Sequence, residues 1–210
     1  LVPGMKIAAP RDAKRVAELL NEAVEVSSGP TVVRFPKGKV GGEVEAIAKL
    51  GGMDVLSSPG EGLGADVLLV GAGVMALTGL EVAGRVAGHG IGVTVVDPRW
   101  TKPVDEALID AARRHKIVVT VEDNGRTGGF GDAVARLLRD HDVDMPVNRF
   151  LRFGGEFAID VTDRIFELLD IVGAGGDGSE IPLPDRFRLK ALELHQAGRL
   201  EAVRTRGNRE

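Results

Sequence analysis

Three groups of residues have the types and spacing to do chemistry. The first is Arg34-Phe35-Pro36-Lys37-Gly38, where two cations lie three positions apart on an exit stiffened by proline. Such a pair reads either as a clamp for a phosphate group or as two solvated surface charges. The second is the run Glu122 to Gly131, which opens with Glu122-Asp123-Asn124 and carries four glycines. Its carboxylates could serve as a general acid and base, and its glycines could form an anion-binding nest. Alternatively the acids cap the next helix or lie buried in an interface. Adjacent residues of an extended chain point opposite ways, which argues against Glu122 and Asp123 acting as a pair. The third is Gly71-Ala72-Gly73-Val74-Met75-Ala76, with Asp97 further on. It matches the dinucleotide fingerprint, in which glycines admit a pyrophosphate to a helix N-terminus. A nicotinamide-dependent oxidoreductase built on the Gly71 turn is therefore one reading, and a tight structural turn is the other.

Positioning these groups requires strands that end at them. Met5 to Ala9 reads as a strand, followed by Asp12 as a helix cap and by Val16, Leu19, Leu20, Ala23 and Val24 at helical spacing. Ser28-Gly29-Pro30 breaks that helix, and Thr31 to Phe35 forms the next strand, so Arg34 and Lys37 sit at its carboxyl end. One β-α-β unit does not close a core, and the expectation is that the earlier part of its domain precedes Leu1. Residues 39–65 read as a surface linker with one short strand near Asp54 to Leu56. Residues 66–172 then alternate strands (Val67–Val70, Gly92–Val96, Ile117–Val121, Val147–Phe153) with helices (Met75–Gly88, Val104–His115, Asp132–His141, Val161–Leu169). The fold class is α/β, a partial β-α-β unit and a linker leading to a doubly wound, mostly parallel sheet. Residues 173–210 read as a flexible segment and a tail with a helical stretch from Phe187 to Leu200.

Composition narrows the chemistry. Hydrophobic residues make up 43% of the 210, enough for a substantial core, and the formal charge of -4 gives no reason to expect nucleic acid or an anionic membrane as partner. The absence of cysteine removes disulfides, thiolate metal sites and thiol nucleophiles. His89, His115, His141 and His195 are too scattered to suggest a metal cluster. There is no apolar run of membrane-spanning length and no signal-peptide pattern, so a cytoplasmic location is expected.

Taken in order, the motifs resemble a known family. Val2-Pro3-Gly4-Met5, Ala8-Ala9-Pro10-Arg11-Asp12, Gly29-Pro30-Thr31 and Arg34-Phe35-Pro36-Lys37-Gly38 resemble the last unit of the pyrimidine-binding domain of 1-deoxy-D-xylulose-5-phosphate synthase. Gly90 to Trp100 with Pro103, then His115-Lys116, Val121-Glu122-Asp123-Asn124 and Gly128-Gly129, resemble its transketolase-type C-terminal domain. The resemblance runs to about Pro146 and implies boundaries at 1–38, 39–65 and 66–172. It implies a homodimeric transferase that condenses pyruvate with glyceraldehyde 3-phosphate, with loss of carbon dioxide, using thiamine diphosphate and magnesium. In that family the basic residue at the position of Lys37 contacts the substrate phosphate, with Arg34 beside it as the second choice. The catalytic, cofactor-binding and metal-binding residues are expected outside this chain, which alone would turn nothing over. A different class stays open: a non-catalytic assembly subunit of a thiamine-dependent complex.

Overall fold

The computed structural model describes residues 2–37, 41–125, 127–153, 156–157, 161–162, 164–165 and 168–169. Leu1–Val161 form one compact unit. Of the second, Thr162–Glu210, the described residues are helical. The expected segment Gly173 to Gly178 and the tail helix Phe187 to Leu200 lie outside the described residues.

A seven-stranded sheet carries the core. Its parallel centre comprises β5 (Val67–Gly71), β6 (Val93–Asp97), β8 (Ile117–Glu122) and β9 (Val147–Phe153), in the order β9-β8-β5-β6. Every residue of β5 and of β8 is buried, as continuous apolar strands covered on both faces must be. On one face, Leu68, Val70, Val96 and Val118 pack with Leu108 and Ala112 of α3 (Ala107–Arg113) and with Val134 and Leu138 of α4 (Phe130–Asp140). On the other lies α2 (Met75–Ala87), whose Gly79 sits so close that a Cβ there would stand 2.5 Å from Leu69. The chain leaves β5 toward β6 on one side and returns to β8 on the other, so the sheet is doubly wound as the alternation predicts.

The segment read as a linker with one strand contains two. β3 (Ala48–Leu50) and β4 (Met53–Ser57) form a hairpin that adds antiparallel to β6. Its two-residue loop has Gly51 at φ +60°, the conformation a tight hairpin demands at that position. The Asp105 carboxylate accepts the Gly52 and Ala107 N–H groups at 2.7 and 2.8 Å, which ties the hairpin to α3. That helix begins three residues later than its periodicity predicts. A short strand, β7 (Trp100–Lys102), also went unforeseen in the run before Pro103. It completes a separate sheet of order β2-β1-β7 with β1 (Lys6–Ala8) and β2 (Thr31–Val33), which flank α1 (Ala13–Glu25). The opening β-α-β unit is therefore paired with a strand that follows β6 in the same compact unit.

A buried ionic knot holds that arrangement. Arg11, with its side chain fully buried, donates through Nη1 to Asp54 and Asp97, both at 2.6 Å. Its Nε and Nη2 donate to the Val44 carbonyl. Arg15 and Lys49 also reach Asp54, while Asp12 caps α1 by accepting the Arg15 N–H at 2.8 Å. Burial opposes ionisation of Asp54, but hydrogen bonds from Lys49 and Arg11 outweigh it and hold the carboxyl at about 2. Burial dominates at Asp97 and pushes it up to about 6, against hydrogen bonds from the Arg99 N–H and Arg11. Among the described residues no helix is long and apolar enough to cross a membrane.

Two outcomes follow from the knot. Arg11→Met leaves Asp54 and Asp97 without their shared cation and should destabilise the fold by roughly 3–5 kcal/mol in urea titrations at neutral pH. Asp97 holds its proton more tightly folded than unfolded, so its contribution to stability falls as pH rises from about 4 to about 6. Asp97→Asn should therefore gain stability relative to the parent over that interval, read as a widening gap in urea midpoints.

Candidate functional site

The carboxyl ends of β5 and β8 mark the point where the chain turns from one face of the sheet to the other, the place open α/β sheets offer for ligands. A groove of about 810 Å³ opens there. It is lined by Arg34 from the small sheet, Ala72 after β5, Glu122, Asp123 and Asn124 after β8, and Phe130 at the start of α4. Its wall thus combines both sheets of the unit.

Glu122 and Asp123 part company as alternation predicts. The Glu122 side chain is buried, and its two oxygens accept the Phe130 and Gly131 N–H groups at 2.7 and 2.8 Å. It is the anchor of the α4 N-terminus, which starts two residues earlier than the periodicity suggests, and its oxygens are committed to backbone donors. Gly129 makes this possible, since a Cβ there would stand 2.6 Å from the Glu122 carboxylate. Asp123 points the other way. The Arg34 Nη2 donates to its backbone carbonyl, and its carboxylate lies 3.9 Å from the same nitrogen. The two acids are therefore no acid/base pair; the helix-capping reading is the one observed.

Of the two cations, Arg34 lines the groove, and Lys37 is exposed and does not line it. The Arg34 main chain is fixed by its N–H donating to the Ala8 carbonyl at 2.8 Å. Sequence spacing paired Arg34 with Lys37; the structure pairs it with Asp123, 89 positions away.

The Gly71 turn is closed. A Cβ on Gly71 would stand 2.6 Å from the Ala76 nitrogen, so this glycine lets α2 pack onto β5. Gly73 adopts φ +60° with the backbone of Ala9 and Pro10 against it, about 3.4 Å from where a Cβ would be. The donors a pyrophosphate would use are taken: the Ala72, Met75 and Ala76 N–H groups bond to the Val121, Ala72 and Gly73 carbonyls. Asp97, the acid for a ribose, is buried against Arg11. Among the described residues no three His, Asp or Glu side chains gather as a metal site. His115 is spent between the Ala111 carbonyl (2.7 Å) and the Thr94 hydroxyl (2.8 Å). Burial lowers its pKa, in keeping with a neutral structural imidazole.

This doubly wound sheet, with its edge hairpin and groove at the switch point, is that of a transketolase C-terminal domain, and the family described as "Transketolase, C-terminal domain" matches residues 60–160. Over most of its length the chain is similar to 1-deoxy-D-xylulose-5-phosphate synthases. It is 58% identical over 151 residues to the synthase of Thermobifida fusca, covering 71% of this chain and 24% of that relative. Against the synthase of Frankia casuarinae it is 62% identical, covering 71% and 23%. A longer match, 52% over 178 residues, is to synthase 1 of Kitasatospora griseola, covering 85% and 27%. The chain spans about a quarter of the length of these relatives. Among solved structures, a split-gene transketolase described as an inactive β4 tetramer matches with TM-score 0.61 and 30% identity, over 78% of this chain and 53% of that one. A Pichia stipitis transketolase at 16% identity, TM-score 0.54, over 82% of this chain and 24% of that one, shares the fold.

The occupied Gly71 turn gives a direct expectation. Titration of the purified chain with NADH should produce no saturable fluorescence enhancement; saturable binding at stoichiometric protein would restore the dinucleotide reading.

Proposed function

We propose that the chain acts as the C-terminal part of a cytoplasmic, homodimeric synthase that joins pyruvate to glyceraldehyde 3-phosphate, with loss of carbon dioxide, to give 1-deoxy-D-xylulose 5-phosphate. The observation that carries this reading is the identity of 58–62% over 151 residues to synthases of that name. On this reading residues 1–38 end a pyrimidine-binding domain, 39–65 connect, and 66–172 form the transketolase-type domain, with residues 173–210 as a tail. Thiamine diphosphate with magnesium supplies the carbanion chemistry when bound. The described residues do not fit that group: no metal-binding cluster is present among them, and the N-terminus of α4 is taken by Glu122. The resemblance to the synthases is what puts its site in residues outside this chain, and no step through it is derived from these side chains.

What the chain offers the reaction is substrate recognition. Arg34, which lines the groove, and Lys37, which is exposed beyond it, both follow β2, and both are cations with donors suited to a phosphate. Lys37 is taken as the principal phosphate contact and Arg34 as the second. The similarity to an inactive tetramer of a split-gene transketolase favours a second reading, a separately encoded assembly subunit. A start codon directly before Leu1 would support that subunit, and a reading frame continuing upstream would support the whole synthase.

The phosphate assignment predicts a specific loss. In the complete enzyme, Lys37→Ala should lower kcat/KM for glyceraldehyde 3-phosphate on the order of 10-fold or more and spare unphosphorylated glyceraldehyde. Equal effects on both aldehydes would remove Lys37 from the phosphate site.

A further inference from the structure

Arg34 reaches across the groove to Asp123, and two separate anchors fix that meeting. On one side the Arg34 N–H is held by the Ala8 carbonyl of β1. On the other, the buried Glu122 carboxylate is clasped by the Phe130 and Gly131 N–H groups, and alternation turns Asp123 outward. The Arg34 side chain is 53% exposed and that of Asp123 44%, so solute anions reach the pair. A guanidinium has five N–H donors, and the contact through Nη2 leaves donors for an anion. A phosphate arriving at Arg34 nonetheless meets a carboxylate 3.9 Å from the nitrogen it must share. An anion held by the same guanidinium comes close enough to this carboxylate for like charges to repel, and an exposed ion pair of this kind is weak enough for a ligand to compete with.

We propose that Asp123 is a positioning residue acting through Arg34: it holds the guanidinium across the groove and, by its own charge, limits how tightly Arg34 takes a phosphate. Asp123 thereby sets the affinity for the phosphorylated substrate from the opposite wall of the groove. The inference rests on the phosphate reading above and deepens it. It also gives a physical role to an acid that the capping arrangement of Glu122 leaves unused.

The test is carried out in the complete enzyme with inorganic phosphate as competitive inhibitor and glyceraldehyde 3-phosphate as substrate. Asp123→Asn should lower both the phosphate inhibition constant and the KM on the order of 2- to 5-fold, the range an exposed ion pair commands, with kcat little changed. Asp123→Ser, a smaller neutral side chain, should do the same, which separates charge from shape. In an Arg34→Ala background the gain should vanish. If Asp123→Asn leaves phosphate binding unchanged or weaker while Arg34→Ala weakens it, the inference is overturned and the phosphate reading stands. A gain that persists without Arg34 overturns it too, since Asp123 would then act as a diffuse charge. If neither Arg34→Ala nor Lys37→Ala alters phosphate inhibition, the phosphate reading itself fails and this inference falls with it.

Discussion

Arg11 is the constraint on which the rest depends. A fully buried guanidinium is costly to desolvate, and the fold accommodates it only because two carboxylates and a carbonyl converge on it. Those partners come from three stretches: Val44 from the connecting segment, Asp54 from β4 and Asp97 from the end of β6. No one of them can shift without leaving a charge or a donor unpaired in the interior. Arg99 and Trp100, just beyond Asp97, extend the same junction by donating to Glu22 of α1. The opening β-α-β unit is thus tied to the large sheet by polar groups that tolerate little displacement.

That rigidity is what gives the groove its form. With β7 paired to β1 and Arg11 locked, the chain leaving β2 brings Arg34 to the groove at the carboxyl ends of β5 and β8. The far wall is set independently by Glu122, whose carboxylate takes the place of an external anion at the start of α4. A helix N-terminus that already holds an internal carboxylate has little left to offer a phosphate. The cations that line the groove are side chains, Arg34 and Lys102 from the small sheet and Arg136 from α4.

Much of this was legible in the residues. Continuous apolar runs such as Val67–Val70 and Ile117–Val121 announce fully buried parallel strands, and the alternation with helices fixes the doubly wound class. Asp12 before a helical pattern reads correctly as a cap, confirmed by its bond to the Arg15 N–H. What stayed hidden depends on partners distant in sequence. β7 exists because β1 pairs with it, and Trp100-Thr101-Lys102 carries no strong strand pattern of its own. The hairpin β3–β4 was obscured by a glycine-rich stretch whose Gly51 and Gly52 mark a turn as readily as a loop. The Gly71 motif matches the nucleotide fingerprint because close strand-helix packing and close ligand approach ask the same thing of a residue, the absence of a Cβ. Only the carbonyls already bonded to the local N–H groups, and the backbone of Ala9 and Pro10 lying against Gly73, distinguish the two uses.

Arg11 and Arg34 both meet carboxylates, and they differ in burial and in how closely those carboxylates approach. At Arg11 water is excluded, the partners are 2.6 Å away, and separating them would strand charges in a medium that cannot solvate them. Such a contact is kept through any reaction cycle and serves architecture. At Arg34 the side chain is half exposed and the carboxylate is 3.9 Å away, so water or an arriving anion can replace it at small cost. An interaction must be of this second kind to take part in recognition, because binding can exploit only contacts that exchange. One arginine is thus fixed in the interior beside the small sheet, and the other stays exposed where the groove meets the Asp123 wall.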